Sequence, residues 1–570
     1  MVNLTIDNKN VIVEENSTIL EAAKKLHIHI PTLCYHPDQT IKANCRICLV
    51  ETDNKKLVPA CSTKVKEGMN ILTNSKFVRE AQRGVLELIL ANHNQDCLKC
   101  IRNGNCELQT LCERFNISHN SLEGDAVESH PMDDFNPSIV RDYSKCIKCG
   151  RCVEVCSSIQ NVNVLACANR STSYEILPRF DKKLHETECV FCGQCIKVCP
   201  VGAIYEKDSI NNVLNALDDP NMHVIVQIAP AVRVSIGEEF NLNPGEITTG
   251  KIVSSLKRIG FNKVFDTNFT ADLTIIEEGH ELINRIENGG VLPMITSCSP
   301  GWINYVETFA PDLIDHLSTC KSPQQMFGAL SKTYYSQKTG IHPSKIFTVS
   351  IMPCTAKKFE ANRKEMNSYG YVDVDSVLTT REFSKLIKSK GIDFRYIEDE
   401  QFDNPFGITT GAGAIFGATG GVMEAALRSV YELLTKESLS NIDFKDVRGT
   451  KGHKEAIVNI NGTPIKVAVA HGLKNASVIL DEIRRGKSDY AFVEIMACPG
   501  GCIGGGGQPI NIDPKINEKR IDAIYEVDKN MEIRKSHENP AIKELYEDFL
   551  GEPLGELSHK LLHTHYHSRF

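Results

Sequence analysis

The sequence lacks any run of about 18 apolar residues, the length that a helix needs to cross a bilayer. Its opening segment, MVNLTIDNKN, is polar and lacks the basic start and apolar core of a signal peptide. No basic cluster stands out, and the net charge is −8, from 64 basic and 72 acidic residues. We therefore expect a cytoplasmic protein that binds neither membranes nor nucleic acid.

Low-complexity tracts are also missing, and a composition of 41% hydrophobic and 24% charged residues is that of a globular protein. A chain of 570 residues is long enough for about three or four domains. Cysteine, in contrast, is abundant, with 22 residues. Disulfide scaffolds are short and secreted, so clustered thiols in a long chain without a signal more often hold metal.

The first cysteine group follows a segment with the pattern of a small β/α unit. In that segment Thr18 and Glu21 form a capping box, and Pro31 comes soon after the helix. The group consists of Cys34, Cys45, Cys48 and Cys61. A C-x2-C pair between two outlying cysteines resembles the plant-type [2Fe–2S] arrangement, whose first gap is shorter. The alternative for this group is a zinc knuckle.

The second group combines a histidine with three cysteines. Its members are His93, Cys97, Cys100 and Cys106. Three thiolates and an imidazole would also suit zinc. Beside a ferredoxin-like module, the pattern resembles the His-ligated [4Fe–4S] site of hydrogenases and of the large iron–sulfur subunit of complex I.

Two further groups share the spacing C-x2-C-x2-C-x3-C of bacterial two-cluster ferredoxins, in which the fourth cysteine of each run serves the other cluster. This rule predicts one [4Fe–4S] site from Cys146, Cys149, Cys152 and Cys199. It predicts the other from Cys189, Cys192, Cys195 and Cys156. Pro200 follows the second run, whereas Ser157 follows the first. Four cluster sites in series indicate a wire for single electrons.

From about residue 210, apolar runs alternate with helical patterns, which favours parallel α/β architecture. The candidate strands are 223–229, 291–296, 346–352, 466–470 and 490–496. Several of them end in short turns that carry cysteine, namely Cys298, Cys354, Cys498 and Cys502. Ligands of open α/β sheets bind beyond the carboxyl ends of strands, so these thiols could converge on one further cluster. The alternative is that each is a small buried apolar residue.

Three segments at these turns carry a family resemblance: 296–302 (TSCSPGW), 352–358 (MPCTAKK) and 494–502 (EIMACPGGC). They resemble, in the same order, the signature segments of [FeFe]-hydrogenases. With the N-terminal cysteine groups, the resemblance covers nearly the whole chain and is to the large monomeric clostridial type.

The resemblance implies a multidomain α+β and α/β fold, with ferredoxin-like domains ahead of a two-lobed α/β H-cluster domain. The expected domains are a [2Fe–2S] domain at 1–78, a His/Cys3 [4Fe–4S] domain at 79–125, a two-[4Fe–4S] domain at 126–209 and the H-cluster domain at 210–570. The cofactors would be one [2Fe–2S] cluster, three accessory [4Fe–4S] clusters and the H-cluster.

The H-cluster is a [4Fe–4S] cubane bridged by a cysteine to a two-iron subsite with CO, cyanide and azadithiolate ligands. Carried over by position, Cys354, Cys498 and Cys502 would bind the cubane, and Cys502 would bridge to the subsite. Lys357 would donate to a cyanide. The residues that would line the pocket are Ala229, Pro230, Gln324, Met352, Phe416 and Met496.

The resemblance also implies a proton route, because thiol, carboxyl and hydroxyl groups both accept and donate protons. The route would begin at the azadithiolate amine and pass through Cys298, Glu278, Ser318, Glu281 and Arg285. Without the resemblance, Glu281 and Arg285 would be taken for a solvated ion pair on one helix face.

The chain departs from the family at one position, because Ser299 stands where a second adjacent cysteine is usual. By register, Cys298 relays protons and Ser299 falls on the fourth cubane ligand. Iron–sulfur clusters are, however, held by thiolates and rarely by alkoxides. Either Ser299 is an unusual ligand, or Cys298 binds iron and a hydroxyl relays protons.

We therefore expect a ferredoxin hydrogenase that interconverts protons, electrons and H2. Its expected partner is ferredoxin or another one-electron carrier, and the chain is expected to be a monomer or weak homo-oligomer. One alternative is an electron-transfer subunit of an NADH or formate dehydrogenase, which the three signature segments oppose. The other is a hydrogenase-like sensor or cluster-assembly protein, which the Ser299 departure leaves open, whereas the presence of Cys298, Glu278, Glu281 and Lys357 favours catalysis.

A few residues remain outside this scheme. Cys112, Cys167 and Cys320 have no partners at ligand spacing and are expected to be plain buried thiols. His563, His565 and His567 lie near the end of the sequence, where we expect a loose segment, with adventitious metal binding as the alternative.

The predicted cluster set specifies the metal content. Matured protein should carry about 20 iron atoms per chain and no stoichiometric zinc, as measured by elemental analysis. A value of about 14, without infrared bands of CO or cyanide, would leave the accessory clusters in place and exclude the H-cluster.

Overall fold

The computed structural model describes residues 1–118, 122, 130–439, 441–460 and 462–569. Within these ranges, no helix combines the length and apolar character needed to span a bilayer. The predicted domain boundary between residues 125 and 126 lies outside the described residues.

The N-terminal segment forms a five-stranded sheet with one short helix. In spatial order the strands are Lys9–Val13, Val2–Ile6, Asn70–Leu72, Leu49–Thr52 and Leu57–Pro59. The helix Ile19–Lys25 begins with the predicted capping box: the Thr18 side chain accepts from the Glu21 backbone, and the Glu21 carboxylate accepts from the Thr18 backbone. This local prediction is therefore confirmed.

Two helices follow, Lys76–Ala91 and Glu107–Arg114, and then a ferredoxin-like segment with internal repetition. Its two-stranded ladders are Ile139–Arg141 with Ile204–Glu206, and Leu165–Ala168 with Glu175–Pro178. Its helices Arg151–Glu154 and Gln194–Val198 each start after a glycine with positive φ, Gly150 at 77° and Gly193 at 71°. Glycine adopts this conformation without steric cost, so each cysteine run can turn sharply into its helix.

The C-terminal part contains two four-stranded sheets. The first sheet is parallel, in the order Lys263–Asp266, His223–Ile228, Ile346–Met352 and Ser376–Thr379. The second has the order Met294–Ile295, Tyr490–Met496, Thr463–His471 and His453–Ile460, and only its last pair is antiparallel. All five predicted strands are present. The one predicted at 291–296 is limited to Met294–Ile295, and Pro293, which lacks a backbone N–H, precedes it.

Helices surround both sheets. Their bounds are Ile210–Asp218, Thr249–Ile259, Thr267–Asn288, Pro300–Phe309, Pro323–Leu330, Ser336–Thr339, Ala356–Ala361, Thr380–Ser389, Gly411–Ile415, Gly421–Thr435, Leu473–Arg484, Lys515–Asn530, Pro540–Leu545 and Glu556–Leu562. A short hairpin pairs Asn367–Ser368 with Tyr371–Val372. The helix Thr267–Asn288 is buried along most of its length and carries Glu278 and Glu281.

Two minor predictions were wrong. Cys167 is exposed rather than buried, because its side chain lies on the outer side of the hairpin strand Leu165–Ala168. His563 does not lie in a loose segment: it is 8% exposed. The backbone around it pairs with residues 319–321, where Thr564 N donates to Thr319 O at 2.8 Å.

A buried ion pair joins the ferredoxin-like segment to the C-terminal part. The Arg381 guanidinium donates to both carboxylate oxygens of Glu206, at 3.1 and 2.6 Å, and to the backbone oxygen of Gly506 at 2.9 Å. Burial opposes ionisation of Glu206, but the charge and hydrogen bonds of Arg381 outweigh it and lower the pKa to about 2.

Arg381→Ala should therefore lower the free energy of unfolding by about 3–5 kcal/mol at pH 7, because it leaves a buried charge unpaired. Urea unfolding of the intact protein measures this loss. The folded-state pKa of Glu206 lies below its ordinary 4.5, so the wild-type pair stabilises above that pH and its contribution is lost as pH falls toward 2. Arg395→Ala is the control, because the exposed Arg395–Asp393 contact of 4.0 Å should contribute less than about 1 kcal/mol.

Candidate functional site

Strand ends from both sheets face one pocket of about 720 Å³ between them. The strands His223–Ile228 and Ile346–Met352 approach from the first sheet, and Met294–Ile295 and Tyr490–Met496 from the second. All twelve residues predicted at or around the H-cluster line this pocket: Ala229, Pro230, Cys298, Ser299, Gln324, Met352, Cys354, Lys357, Phe416, Met496, Cys498 and Cys502. The structure thus brings together residues that are up to 273 positions apart in the sequence (229 to 502).

The three thiols predicted to bind the cubane share a strongly buried environment. Burial, and then the charge of Cys498, raises the pKa of Cys354 to about 12. Burial, and then the charge of Cys502, raises the pKa of Cys498 to about 11. Burial and the neighbouring Cys354 likewise raise the pKa of Cys502 to about 12. Three thiolates so close together need a compensating cation, and iron–sulfur clusters are held by such sulfur donors.

Two polar side chains of the pocket also fit a bound group. The Oε1 atom of Gln324 is buried and has no hydrogen-bond partner among the described residues. The Lys357 ammonium donates to the backbone oxygen of Cys298 at 3.1 Å and to the Glu360 carboxylate at 2.9 Å. Sequence reasoning missed Glu360, although its position three residues after Lys357 on a helix could have indicated the pair.

The glycines at 504–507 lie against neighbouring parts of the protein. A Cβ on Gly505 would lie 2.1 Å from the backbone oxygen of Pro353, and one on Gly506 would lie 2.4 Å from that of Cys192. The missing side chains therefore admit neighbouring protein backbone, and among the four glycines only Gly505 lines the pocket.

Cys298 and Ser299 both line the pocket but differ in their neighbours. Burial, followed by the charge of Glu278, raises the pKa of the Cys298 thiol well above its ordinary value, while Lys357 opposes this shift. The Ser299 hydroxyl instead accepts a hydrogen bond from the backbone N–H of Ala497 at 3.3 Å, next to Cys498. Cys298 thus lies near both Glu278 and Cys502, whereas Ser299 bonds to the backbone next to Cys498.

Of the remaining residues of the predicted proton route, Glu278, Ser318 and Glu281 are buried and Arg285 is half-buried. Burial, followed by the charge of Glu281, raises the pKa of Glu278 to about 8, so this carboxyl is mostly protonated at neutral pH. Neither of its oxygens has a hydrogen-bond partner among the described residues, although Ser318 is near enough to oppose the shift. The Ser318 hydroxyl donates to Glu281 at 2.9 Å, and Arg285 donates to Glu281 at 2.6 Å. Both side chains of the Glu281–Arg285 pair are nearly buried, so it is not a solvated surface pair.

The two ferredoxin runs form two separate pockets. One, of about 360 Å³, contains Cys146, Cys149, Cys152 and Cys199. The other, of about 500 Å³, contains Cys156, Cys189, Cys192 and Cys195. The fourth cysteine of each run thus lies in the pocket of the other run, as the spacing predicts.

The His/Cys3 group lines a pocket of about 770 Å³ that contains His93, Cys97, Cys100 and Cys106. Burial lowers the pKa of His93 to about 4, and its buried Nδ1 has no hydrogen-bond partner within the described part of the chain, so the imidazole is neutral and available to a metal. Cys112 lines the same pocket, which the sequence did not indicate because its spacing matches no ligand motif.

The first group is preorganised around Cys34, whose sulfur accepts the backbone N–H groups of Asn44 and Cys45 at 3.3 and 3.5 Å. The Cys45 thiol and these amides lower the pKa of Cys34 to about 6, although burial opposes the shift. The neighbouring Cys61 thiol likewise lowers the pKa of Cys48, although burial opposes the shift.

Contacts between these modules set the order of the sites. Lys42 and Asn44, which lie just before Cys45 of the first group, donate to the backbone oxygens of Gly150 and Lys148, at 2.7 and 3.0 Å. The His/Cys3 module meets the same turn, where Arg151 binds Glu107 at 2.7 Å. Both N-terminal sites therefore adjoin the pocket of Cys146.

The second ferredoxin pocket adjoins the strand-end pocket. Gln194 and Lys197, on the helix that carries Cys195, donate to the backbone oxygen of Gly504 at 2.9 and 3.0 Å. The charge of Cys498 also contributes, after burial, to the raised pKa of Cys192. The sites thus form a continuous series from the N-terminal modules to the strand-end pocket.

Family models match the chain in five successive segments. They are a 2Fe-2S iron–sulfur cluster binding domain at 1–76, the NADH-ubiquinone oxidoreductase-G iron–sulfur binding region at 82–121, a 4Fe-4S dicluster domain at 145–203, the C-terminal domain of the iron only hydrogenase large subunit at 222–506 and the iron hydrogenase small subunit at 514–569.

Similar proteins span the whole chain. The NADP-reducing hydrogenase subunit HndD of Solidesulfovibrio fructosivorans is 49% identical over 100% of this chain and 99% of its own length. Iron hydrogenase 1 of Clostridium pasteurianum is 43% identical over 99% of this chain and 100% of its own length. A solved structure of [FeFe]-hydrogenase HydA1 from Chlamydomonas reinhardtii covers 64% of this chain and 99% of its own, with a TM-score of 0.58 and 43% identity.

Ser299→Cys should decide whether the hydroxyl binds iron. A thiolate is softer and less basic than an alkoxide, so if Ser299 is a ligand the variant should keep the cubane and raise its reduction potential. A redox titration followed by EPR measures this shift. If the potential stays unchanged and Ser299→Ala is also silent, Ser299 only holds the backbone at Ala497, and Cys298 is the ligand.

Proposed function

The chain belongs to the iron-only hydrogenase family, and we propose that it catalyses the reversible reduction of protons to H2 on an H-cluster in the strand-end pocket. Its place in the metabolism of H2 and its accessory iron–sulfur clusters follow from its full-length hydrogenase relatives and family models. The observation that supports this reaction best is that three buried thiols share their pocket with Cys298, whose thiol lies next to the Glu278 carboxyl outside the pocket.

In this proposal Cys354, Cys498, Cys502 and Ser299 would hold the cubane of the H-cluster, and Cys502 would be the residue that it shares with the two-iron subsite. When bound, the H-cluster supplies the metal centre at which protons and electrons combine, with CO, cyanide and azadithiolate as its small ligands. The buried Lys357 ammonium presents its charge to the cyanide side, and Glu360 balances that charge. Apolar groups such as Met352, Phe416 and Met496 exclude water from the pocket.

Protons would move through groups that can accept one proton while they pass another on, so that no net charge remains in the buried pocket. The Cys298 thiol is neutral because burial opposes its ionisation, and the Glu278 carboxyl, with a pKa near 8, is poised near neutral pH. A proton taken up by Glu278 passes by way of the Ser318 hydroxyl to Glu281, which Arg285 keeps in place. The chain of side chains thus leads from the pocket toward the end of the helix Thr267–Asn288.

Electrons would enter through the N-terminal modules. We propose one [2Fe–2S] cluster on Cys34, Cys45, Cys48 and Cys61, and three accessory [4Fe–4S] clusters on the His/Cys3 group and the two ferredoxin pockets. The proposed domain bounds are 1–78, 79–125, 126–209 and 210–570, which the five family matches support. Because both N-terminal sites adjoin the Cys146 pocket, electrons from either would join there.

The electron donor is proposed to be ferredoxin or another one-electron carrier. The relative named as a subunit of an NADP-reducing hydrogenase raises a second candidate, in which partner subunits deliver electrons from a nicotinamide nucleotide. The native mass of the protein in its cell extract separates the two, since a free monomer or weak homo-oligomer fits ferredoxin. The cytoplasm is the proposed location, supported by the 22 free thiols, which a reducing compartment preserves.

Cys298→Ala should lower H2 turnover in both directions by about 100-fold or more, because it removes the first relay group beside the pocket. The CO and cyanide infrared bands and the cubane EPR signal should persist. Cys298→Asp should recover part of the activity, since a carboxyl also relays protons. Cys167→Ala, which removes an exposed thiol on a hairpin, is the control and should keep full activity. Loss of the cubane signal in Cys298→Ala would instead make Cys298 a ligand.

A further inference from the structure

The segment around His563 is tied to the loop that carries Ser318. Lys321 N donates to Leu562 O at 2.7 Å, and Thr564 N donates to Thr319 O at 2.8 Å, so that Cys320 and His563 form a β-bridge. This pairing places the imidazole inside the protein, beside the proposed proton route and 282 positions after Glu281 in the sequence (281 to 563).

The Cys320 thiol lies between the route and this imidazole. Its Sγ is 3.9 Å from Glu281 Oε2 and 4.0 Å from His563 Nδ1, distances at which a thiol exchanges weak hydrogen bonds. The side chain is completely buried, with 0% exposure. A neutral thiol can accept a proton on one side while it donates on the other, as Cys298 is proposed to do.

Glu277 holds the other side of the imidazole. His563 Nε2 is 3.1 Å from Glu277 Oε2, and this carboxylate also accepts from Ser558 at 2.5 Å and from the Tyr546 hydroxyl. Burial alone would raise the pKa of Glu277, but the hydrogen bonds from His563, Ser558 and Tyr546 keep it below its usual value. A carboxylate that accepts the Nε2 proton leaves Nδ1 as the basic atom and stabilises an imidazolium.

We propose that Cys320 and His563 form a side branch of the proton route, in which His563 holds one proton next to Glu281. The transfer is balanced: the O–H bond of Glu281 breaks as an S–H bond forms at Cys320, and the original S–H proton passes to His563 Nδ1. No electron moves, and the thiol is regenerated. In the proton-free state Nδ1 lies 2.8 Å from the Thr319 hydroxyl, which donates to it and turns away when the proton arrives.

The surrounding charges favour this storage. Glu281 is paired with Arg285, and Glu278, with its raised pKa, is mostly protonated at neutral pH, so Glu277 is the carboxylate that faces an imidazolium. The exposed His559 ring lies 4.4 Å from the His563 ring, and burial, followed by the charge of His563, lowers its pKa, so it stays neutral. A stored proton would help turnover, because each H2 formed or split requires two protons and the route is a single series of side chains.

The branch rests on the proposed route, and four variants of the matured full-length enzyme test it. Cys320→Ala and His563→Gln should each lower H2 turnover by about threefold to tenfold, less than the ~100-fold expected of a direct relay group. The double variant should be no slower than either single variant, because the two residues act in one transfer. Cys320→Ser keeps an exchangeable proton and should recover part of the rate. Cys167→Ala again serves as the control.

The pH profile of turnover separates proton transfer from a structural role, because loss of packing alone at Cys320 or His563 would not change the profile. His563→Gln and Cys320→Ala should change the pH profile of turnover in the same way, while the CO and cyanide infrared bands and the thermal unfolding midpoint remain those of the wild type. Additive losses, an unchanged profile or a Cys320→Ser variant as slow as Cys320→Ala would overturn the branch. If His563→Gln fails to fold, the comparison of Cys320→Ala with Cys320→Ser tests the branch without it. A Cys298→Ala variant that stays active would instead overturn the main route.

Discussion

The burial of thiols at the carboxyl ends of strands is the constraint on which the rest of the molecule depends. Parallel strands from two sheets end at one gap, so the turns that follow them carry Cys298, Cys354 and Cys498 into the same low-dielectric pocket. Burial and mutual repulsion raise the pKa values of these thiols, and a cationic cluster offsets both effects. Without metal these thiols therefore stay protonated, and a bound cluster would take up their sulfurs as thiolates with release of the protons.

In the proposed mechanism, electrons and protons reach this pocket from different sides. The thiol of Cys498 adjoins the ferredoxin-like segment, where Gln194 and Lys197 bind the backbone at Gly504. Cys298 instead faces the buried helix Thr267–Asn288, which carries the carboxyl groups. In the proposed mechanism, electrons would therefore approach through sulfur and backbone, and protons through thiol, carboxyl and hydroxyl groups. The separation lets each path be tuned by its own neighbours.

Ion pairs between the modules fix the relative positions of the sites along these paths. Arg381 binds Glu206 across the boundary between the ferredoxin-like segment and the C-terminal part, and Arg151 binds Glu107 between the two cluster modules before it. Each pair places a fixed charge where two modules meet, so that loss of one partner leaves the other buried and unpaired. These pairs, together with apolar packing, set how the modules dock and with it the order of the cluster sites.

The sequence alone determined the features that depend on short spacing. The capping box at Thr18 and Glu21, the strands before the cysteine turns and the grouping of the two ferredoxin runs were all predictable, because the residues involved lie within a few turns of one another or repeat a fixed spacing. Family signatures extended this reading to Lys357 and the pocket residues. Only the tertiary structure placed Cys112 in the pocket of His93 and brought His563 beside Cys320. Those contacts join distant or irregularly spaced positions, and only the packing of helices and the pairing of the last segment decide which of them meet.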